Sequence, residues 1–80
     1  LEDHEKAAFA YQKILELEPD DTLTHAFLAY TYNSLSKFED FFLEMRKFVD
    51  LLFKLDYDSI SREELALYGP YLRDALVVFT

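Results

Sequence analysis

The sequence has no cysteine, no tryptophan, one glycine and two prolines, and only 8 Lys and Arg stand against 16 Asp and Glu. Without cysteine there is neither a disulfide framework nor a thiolate metal site; the redox compartment stays open, with the cytoplasm the favoured setting. A single glycine leaves no room for a Gly-rich, phosphate-cradling loop. A formal charge of −8 disfavours nucleic acid, because a phosphate backbone needs a basic stripe to neutralise it. The same acidity argues against an amphipathic membrane helix, whose polar face carries Lys and Arg. No apolar run reaches the roughly 18 residues of a membrane span, so no membrane insertion is expected. What remains is a chain of 80 residues, 51% of them hydrophobic, too apolar for disorder and long enough for one small domain or a piece of a larger one.

The apolar residues recur at helical spacing. Ala7, Ala10, Tyr11, Ile14 and Leu15 mark one face of a first helix, with Asp3 as its N-cap and Pro19 as its stop. A second segment, Thr22 to Leu35, holds no Asp, Glu, Lys or Arg and is apolar nearly all round, which predicts the most central position. Ser36 followed by Glu39 reads as a capping box opening a third helix, whose Phe38, Phe41, Phe42, Met45, Phe48, Val49 and Leu52 trace a broad stripe. Residues 56 to 61 read as a loop. Ser61 with Glu64 forms a second capping box into a fourth helix that Gly69-Pro70 should end or kink, with residues 70 to 79 resuming as a short helix.

Sliding the chain against itself by 34 residues aligns the first and third helices. Leu1 then meets Leu35, Glu5 meets Glu39, Lys13 meets Lys47 and Leu17 meets Leu51, while Tyr11, Ile14 and Leu15 fall on Met45, Phe48 and Val49. The run Leu-Glu-Asp-His-Glu-Lys-Ala, followed by Tyr11, Lys13, Leu15, Leu17, Glu18 and Pro19, resembles the second helix of a tetratricopeptide repeat (TPR). Leu28, Ala29, Tyr32, Phe38 and Met45 resemble the next, complete repeat. The resemblance implies an all-α array of antiparallel helix-turn-helix repeats, a right-handed α-solenoid: residues 1–21 as the second helix of one repeat, 22–55 as a complete repeat, and 56–80 as a degenerate third repeat or capping helices. Three positions depart from the family pattern. Phe41 stands where a small Ala is usual, His25 at a large aromatic position and Phe53 in place of the closing Pro, and local distortion is expected there. The chain begins between the two helices of a repeat, as a segment of a longer array would.

The family scaffolds assemblies and holds peptides in a concave groove. Carried over by position, that groove would be lined by Leu23, Ala26, Phe27, Tyr30, Asn33 and Ser34, with Tyr offering apolar area plus a hydroxyl and Asn able to bond an extended backbone. The family's carboxylate clamp for acidic C-terminal tails is absent: Phe27 occupies its middle Asn position, and its Lys and Arg positions fall on Ile60 and Glu64. With seven acidic and two basic residues in positions 1 to 21, the expected partner is a protein or peptide that is neutral to basic and partly apolar. No cofactor and no metal are implied. Self-association is expected if Phe38, Phe41, Phe42, Phe48 and Phe53 are left uncovered.

Two other classes compete. A helical accessory or regulatory domain of a larger enzyme has the same composition. A calcium loop is suggested by Asp56, Asp58 and Glu64, but with Asp56 first the twelfth position is Leu67, not Glu, and the sixth is Ser61, not Gly. No catalytic residue is expected: His4 and His25 lie on different elements, and Glu39, Asp40 and Glu44 read as solvated helix-face carboxylates.

Overall fold

The computed structural model describes residues 3–55, 58 and 60–79, which leaves Leu1, Glu2 and Asp56 of the readings above outside the described residues. Four helices follow one another, α1 (His4–Leu17), α2 (Thr22–Ser34), α3 (Phe38–Phe53) and α4 (Arg62–Phe79), and no strand occurs among the described residues. No helix there is long and apolar enough to cross a membrane. The molecule measures 38 × 31 × 22 Å, so its short axis is about two helix diameters.

The helix starts are set by short polar side chains. The Asp3 carboxylate accepts from the Lys6 N–H at 3.1 Å, Asp21 accepts from the Thr24 N–H at 3.4 Å, and the Ser61 hydroxyl accepts from the Glu64 N–H at 3.1 Å. Each satisfies a donor that the first turn leaves without a partner. α3 starts differently, and the expected capping box at Ser36 does not form: α3 begins at Phe38 after Lys37, with no side-chain cap. Ser36 belongs to the end of α2 instead. Its φ is 60°, the Lys37 N–H donates to the Tyr32 carbonyl at 2.9 Å and the Ser36 N–H to the Asn33 carbonyl at 3.1 Å. These are the paired bonds of a Schellman motif, with serine in the left-handed position that glycine usually takes.

α2 lies between α1 and α3 and packs on both, as its uncharged composition predicts. Ala26 and Ala29 are fully buried, which lets α3 come close, and Phe41, Met45, Phe48 and Leu52 of α3 fill the seam at i, i+4, i+7 and i+11. Burying a side chain of this size contributes about 1.5–3 kcal/mol. α4 adds Ala75 to this core and lays Tyr68 and Tyr71 against Phe48, with ring centroids 6.3 and 6.2 Å apart.

Two expectations are corrected here. The fourth helix does not end at Gly69-Pro70: α4 continues through both residues, because the packing of Tyr68, Tyr71, Leu72 and Ala75 on the core spans that point and outweighs the missing proline N–H. α1 buries Ala8 and half-buries Ala7, Tyr11 and Leu15, while Ala10 and Ile14 face outward. Of the five α3 phenylalanines on whose exposure self-association depends, Phe41 and Phe48 are core residues, while Phe38, Phe42 and Phe53 are exposed.

Candidate functional site

Leu23, Phe27, Tyr30 and Ser34 recur at i, i+4, i+7 and i+11 along α2, so they share one side of that helix, and it is the side that neither α1 nor α3 covers completely. α1 and α4 flank it. Between the three helices runs an open groove of about 820 Å³, into which α1 contributes Asp3, His4, Ala7 and Tyr11, and α4 contributes Ala66, Leu67, Pro70, Tyr71 and Asp74. Three of the six residues expected to hold a partner, Phe27, Tyr30 and Ser34, line this groove together with Thr31. Ala26 is fully buried in the α2–α3 seam, Leu23 is half-buried and Asn33 is exposed, and none of these three lines it.

The groove wall is a chain of aromatic rings. Tyr11 meets Phe27 at 5.9 Å between centroids, Phe27 meets Tyr71 edge-to-face at 5.7 Å, and Tyr71 meets Tyr30 at 5.3 Å. Contacts of this kind contribute about 0.5–1.5 kcal/mol each beyond area burial, so the wall is also part of what holds α1 and α4 onto α2. The Tyr30 hydroxyl donates a hydrogen bond to Asp74 Oδ2 that ties α2 to α4. Burial, then the bond to Asp74 and its negative charge, push the Tyr30 phenol well above its ordinary value. Burial also raises Tyr68, with the nearby charges of Glu64 and Asp21 acting in the same direction. Both phenols therefore remain protonated and able to donate at neutral pH.

Charge on the groove is of one sign. Asp3 and Asp74 line it, and no Lys or Arg does so among the described residues. Each carboxylate has a basic neighbour outside the groove, Lys6 3.9 Å from Asp3 and Arg73 3.9 Å from Asp74, but those cations are largely solvated and screen weakly. Pro70 supplies no N–H to the carbonyl of Ala66, four residues earlier, so that rung of the α4 ladder is missing where both residues line the groove.

A second constellation lies on the opposite side. Glu44, read from sequence as a solvated carboxylate, is buried, whereas Glu39 and Asp40 are exposed as expected. Glu44 Oε2 sits 2.6 Å from His25 Nδ1, and the His25 Nε2–H donates to the Pro19 carbonyl at 2.7 Å. Since a carbonyl can only accept, Nε2 carries a proton, and one further proton bridges Nδ1 and the carboxylate. This pair fastens α3 to the start of α2 and to the preceding turn. The adjoining cleft mixes signs, with Glu16, Asp20 and Asp50 beside Lys47 and Lys54, and Lys47 lies 3.6 Å from Glu44 Oε1.

Among the described residues no group of three or more His, Cys, Asp or Glu side chains could hold a metal ion. Of the calcium-loop residues, Asp56 lies outside the description, while the Ser61 hydroxyl accepts from the Glu64 N–H as the cap of α4. Sequence reading missed Tyr11, Tyr71 and Asp74 as groove residues. Their spacing on α1 and α4 marked them as helix-face positions, but only the arrangement of three helices brings them to one place. Comparison with protein-family models, with curated proteins and with solved structures gives no match to this chain.

Proposed function

We propose that this chain is a non-catalytic protein–protein interaction module of TPR-like design, with residues 1–21, 22–55 and 56–80 acting as successive units of a right-handed helical array. Its partner is a neutral-to-basic, partly apolar polypeptide segment, and neither nucleic acid nor a membrane is its target. The observation that carries this reading is the open aromatic groove bounded by α1, α2 and α4, a concave surface of about 820 Å³ that is acidic at its edge. Such a surface offers a peptide apolar burial at about 25 cal/mol per Å² plus hydrogen-bonding tyrosines. The helical faces that meet there are those of two flanking units and the central one, which is the relation expected of stacked helical pairs.

Selecting peptides from a random display library against the chain, and mapping the selected sequences by NMR, tests the reading. Selected peptides are expected to shift Tyr11, Phe27, Tyr30 and Tyr71 and to lack acidic residues. Selection that fails outright, or shifts confined to the opposite cleft around Lys47 and Asp50, would overturn it.

A further inference from the structure

The groove's chemistry is narrower than a general preference for basic peptides. Its wall is made of the rings of Tyr11, Phe27, Tyr71 and Tyr30, and the charged group at its α4 side is an acceptor, the Asp74 carboxylate. Across the groove at the α1 end stands the Asp3 carboxylate. An aromatic face attracts a cation through its quadrupole, and the attraction grows as water is excluded. Tyr30 donates a hydrogen bond to Asp74 Oδ2, which increases electron density in the Tyr30 ring, and the second carboxylate oxygen, Oδ1, lies 3.9 Å from the largely solvated Arg73. A ligand matched to this set needs a flat face for the rings, several donors in one plane and a positive charge. Guanidinium has all three, with five N–H donors in a fixed fork, whereas an ammonium offers a point charge without a plane.

We propose that the groove is an arginine-reading site: one arginine side chain of an extended polypeptide inserts between α1 and α4, stacks on Tyr71 and Phe27, and donates to the Asp74 carboxylate. The proposal rests on the peptide-binding reading above and adds the chemical identity of the anchoring residue. The cleft on the opposite side does not qualify, because Lys47 and Lys54 line it and no Phe or Tyr ring does among the described residues.

The test uses the whole chain and a blocked heptapeptide, Ac-Ala-Leu-Ser-Arg-Ser-Leu-Ala-NH2, beside versions with citrulline, lysine or glutamate at the centre. Citrulline keeps the size and plane of arginine and loses the charge. Calorimetric affinity is read together with NMR shifts of the tyrosine rings. The arginine peptide is expected to bind about tenfold or more tighter than the citrulline one and several-fold tighter than the lysine one, within the range of cation–π and charge-assisted contacts. Tyr71 and Tyr30 should carry the largest ring shifts. Asp74→Asn, which keeps volume and removes charge, should abolish most of the difference between arginine and citrulline. Glu16→Gln in the opposite cleft removes the same charge and should leave the difference intact. Tyr71→Leu should weaken the arginine peptide selectively; helical circular dichroism of each variant separates lost binding from lost folding, and Asp74→Asn stands as the test if Tyr71→Leu unfolds. Equal binding of arginine and citrulline peptides in the groove overturns arginine reading while the peptide-binding module survives. Failure of all four peptides to bind overturns arginine reading, and the library selection then decides the module separately.

Discussion

α1 and α3 begin 34 residues apart and in the same register, yet they are used differently. Phe48 has no exposed surface, and its counterpart in register, Ile14, is 40% exposed. Glu44 is buried against His25, while its counterpart Ala10 faces solvent. The two helices share one contact, the seam with α2. α3 has a second neighbour, because α4 lays Tyr68 and Tyr71 over Phe48. α1 has no such cover on its outer face among the described residues. Helices of similar pattern thus acquire different burial from the number of neighbours.

Substitutions at paired positions sharpen or break this comparison. Phe48→Ala should cost about 3–5 kcal/mol through the cavity it opens, against no more than about 1 kcal/mol for Ile14→Ala at a half-exposed site. Urea unfolding followed by helical circular dichroism reads both, and equal losses would mean that the two helices are equally framed. Next in size is the buried pair. Glu44→Ala should cost about 3 kcal/mol because it leaves the His25 ring buried without its partner, whereas Ala10→Glu at the matching place on α1 should stay within about 0.5 kcal/mol. Replacing both members with apolar side chains, His25→Phe with Glu44→Leu, should recover most of the loss, since a well-packed apolar pair can match a buried ionic one. The same denaturation experiment separates these outcomes, and a double variant as unstable as the single one would show that the pair does more than fill space.

The smallest effect concerns the two turns that join these helices to α2. The α1–α2 turn ends at Pro19 and Asp20 without a positive φ, while the α2–α3 turn places Ser36 at φ 60°. A residue with a Cβ pays roughly 1 kcal/mol or more in that conformation, and glycine does not. Ser36→Gly should therefore raise stability by about 0.5–1 kcal/mol, visible as a higher thermal midpoint. A loss instead would mean that the serine hydroxyl contributes more than the backbone conformation costs.

Much of the fold was legible in the residues. Asp3 and Ser61 cap helices where their spacing to the next apolar run says they should, and the uncharged α2 is central because a helix with no polar face must be covered on several sides. Ser36 misled because its spacing to Glu39 fits a capping box as well as its position fits a helix terminus. Gly69-Pro70 misled because local propensity is weaker than the packing that spans it. The groove was legible by half. Phe27, Tyr30 and Ser34 fall on one side of a single helix, and that much follows from a period of 3.6 residues. Tyr71 and Asp74 enter from 44 positions further along, and no local pattern encodes that meeting.

The amino-acid order alone determined an all-helical chain, the caps that start α1 and α4 and a formal charge of −8, because periodicity, capping and net charge are properties of neighbouring or summed residues. Only the tertiary structure decided that four aromatic rings and two carboxylates share one groove, and that Glu44 is drawn inside to meet His25. Those outcomes depend on how rigid helices cross, and crossing is settled by the fit of side chains from distant parts of the chain.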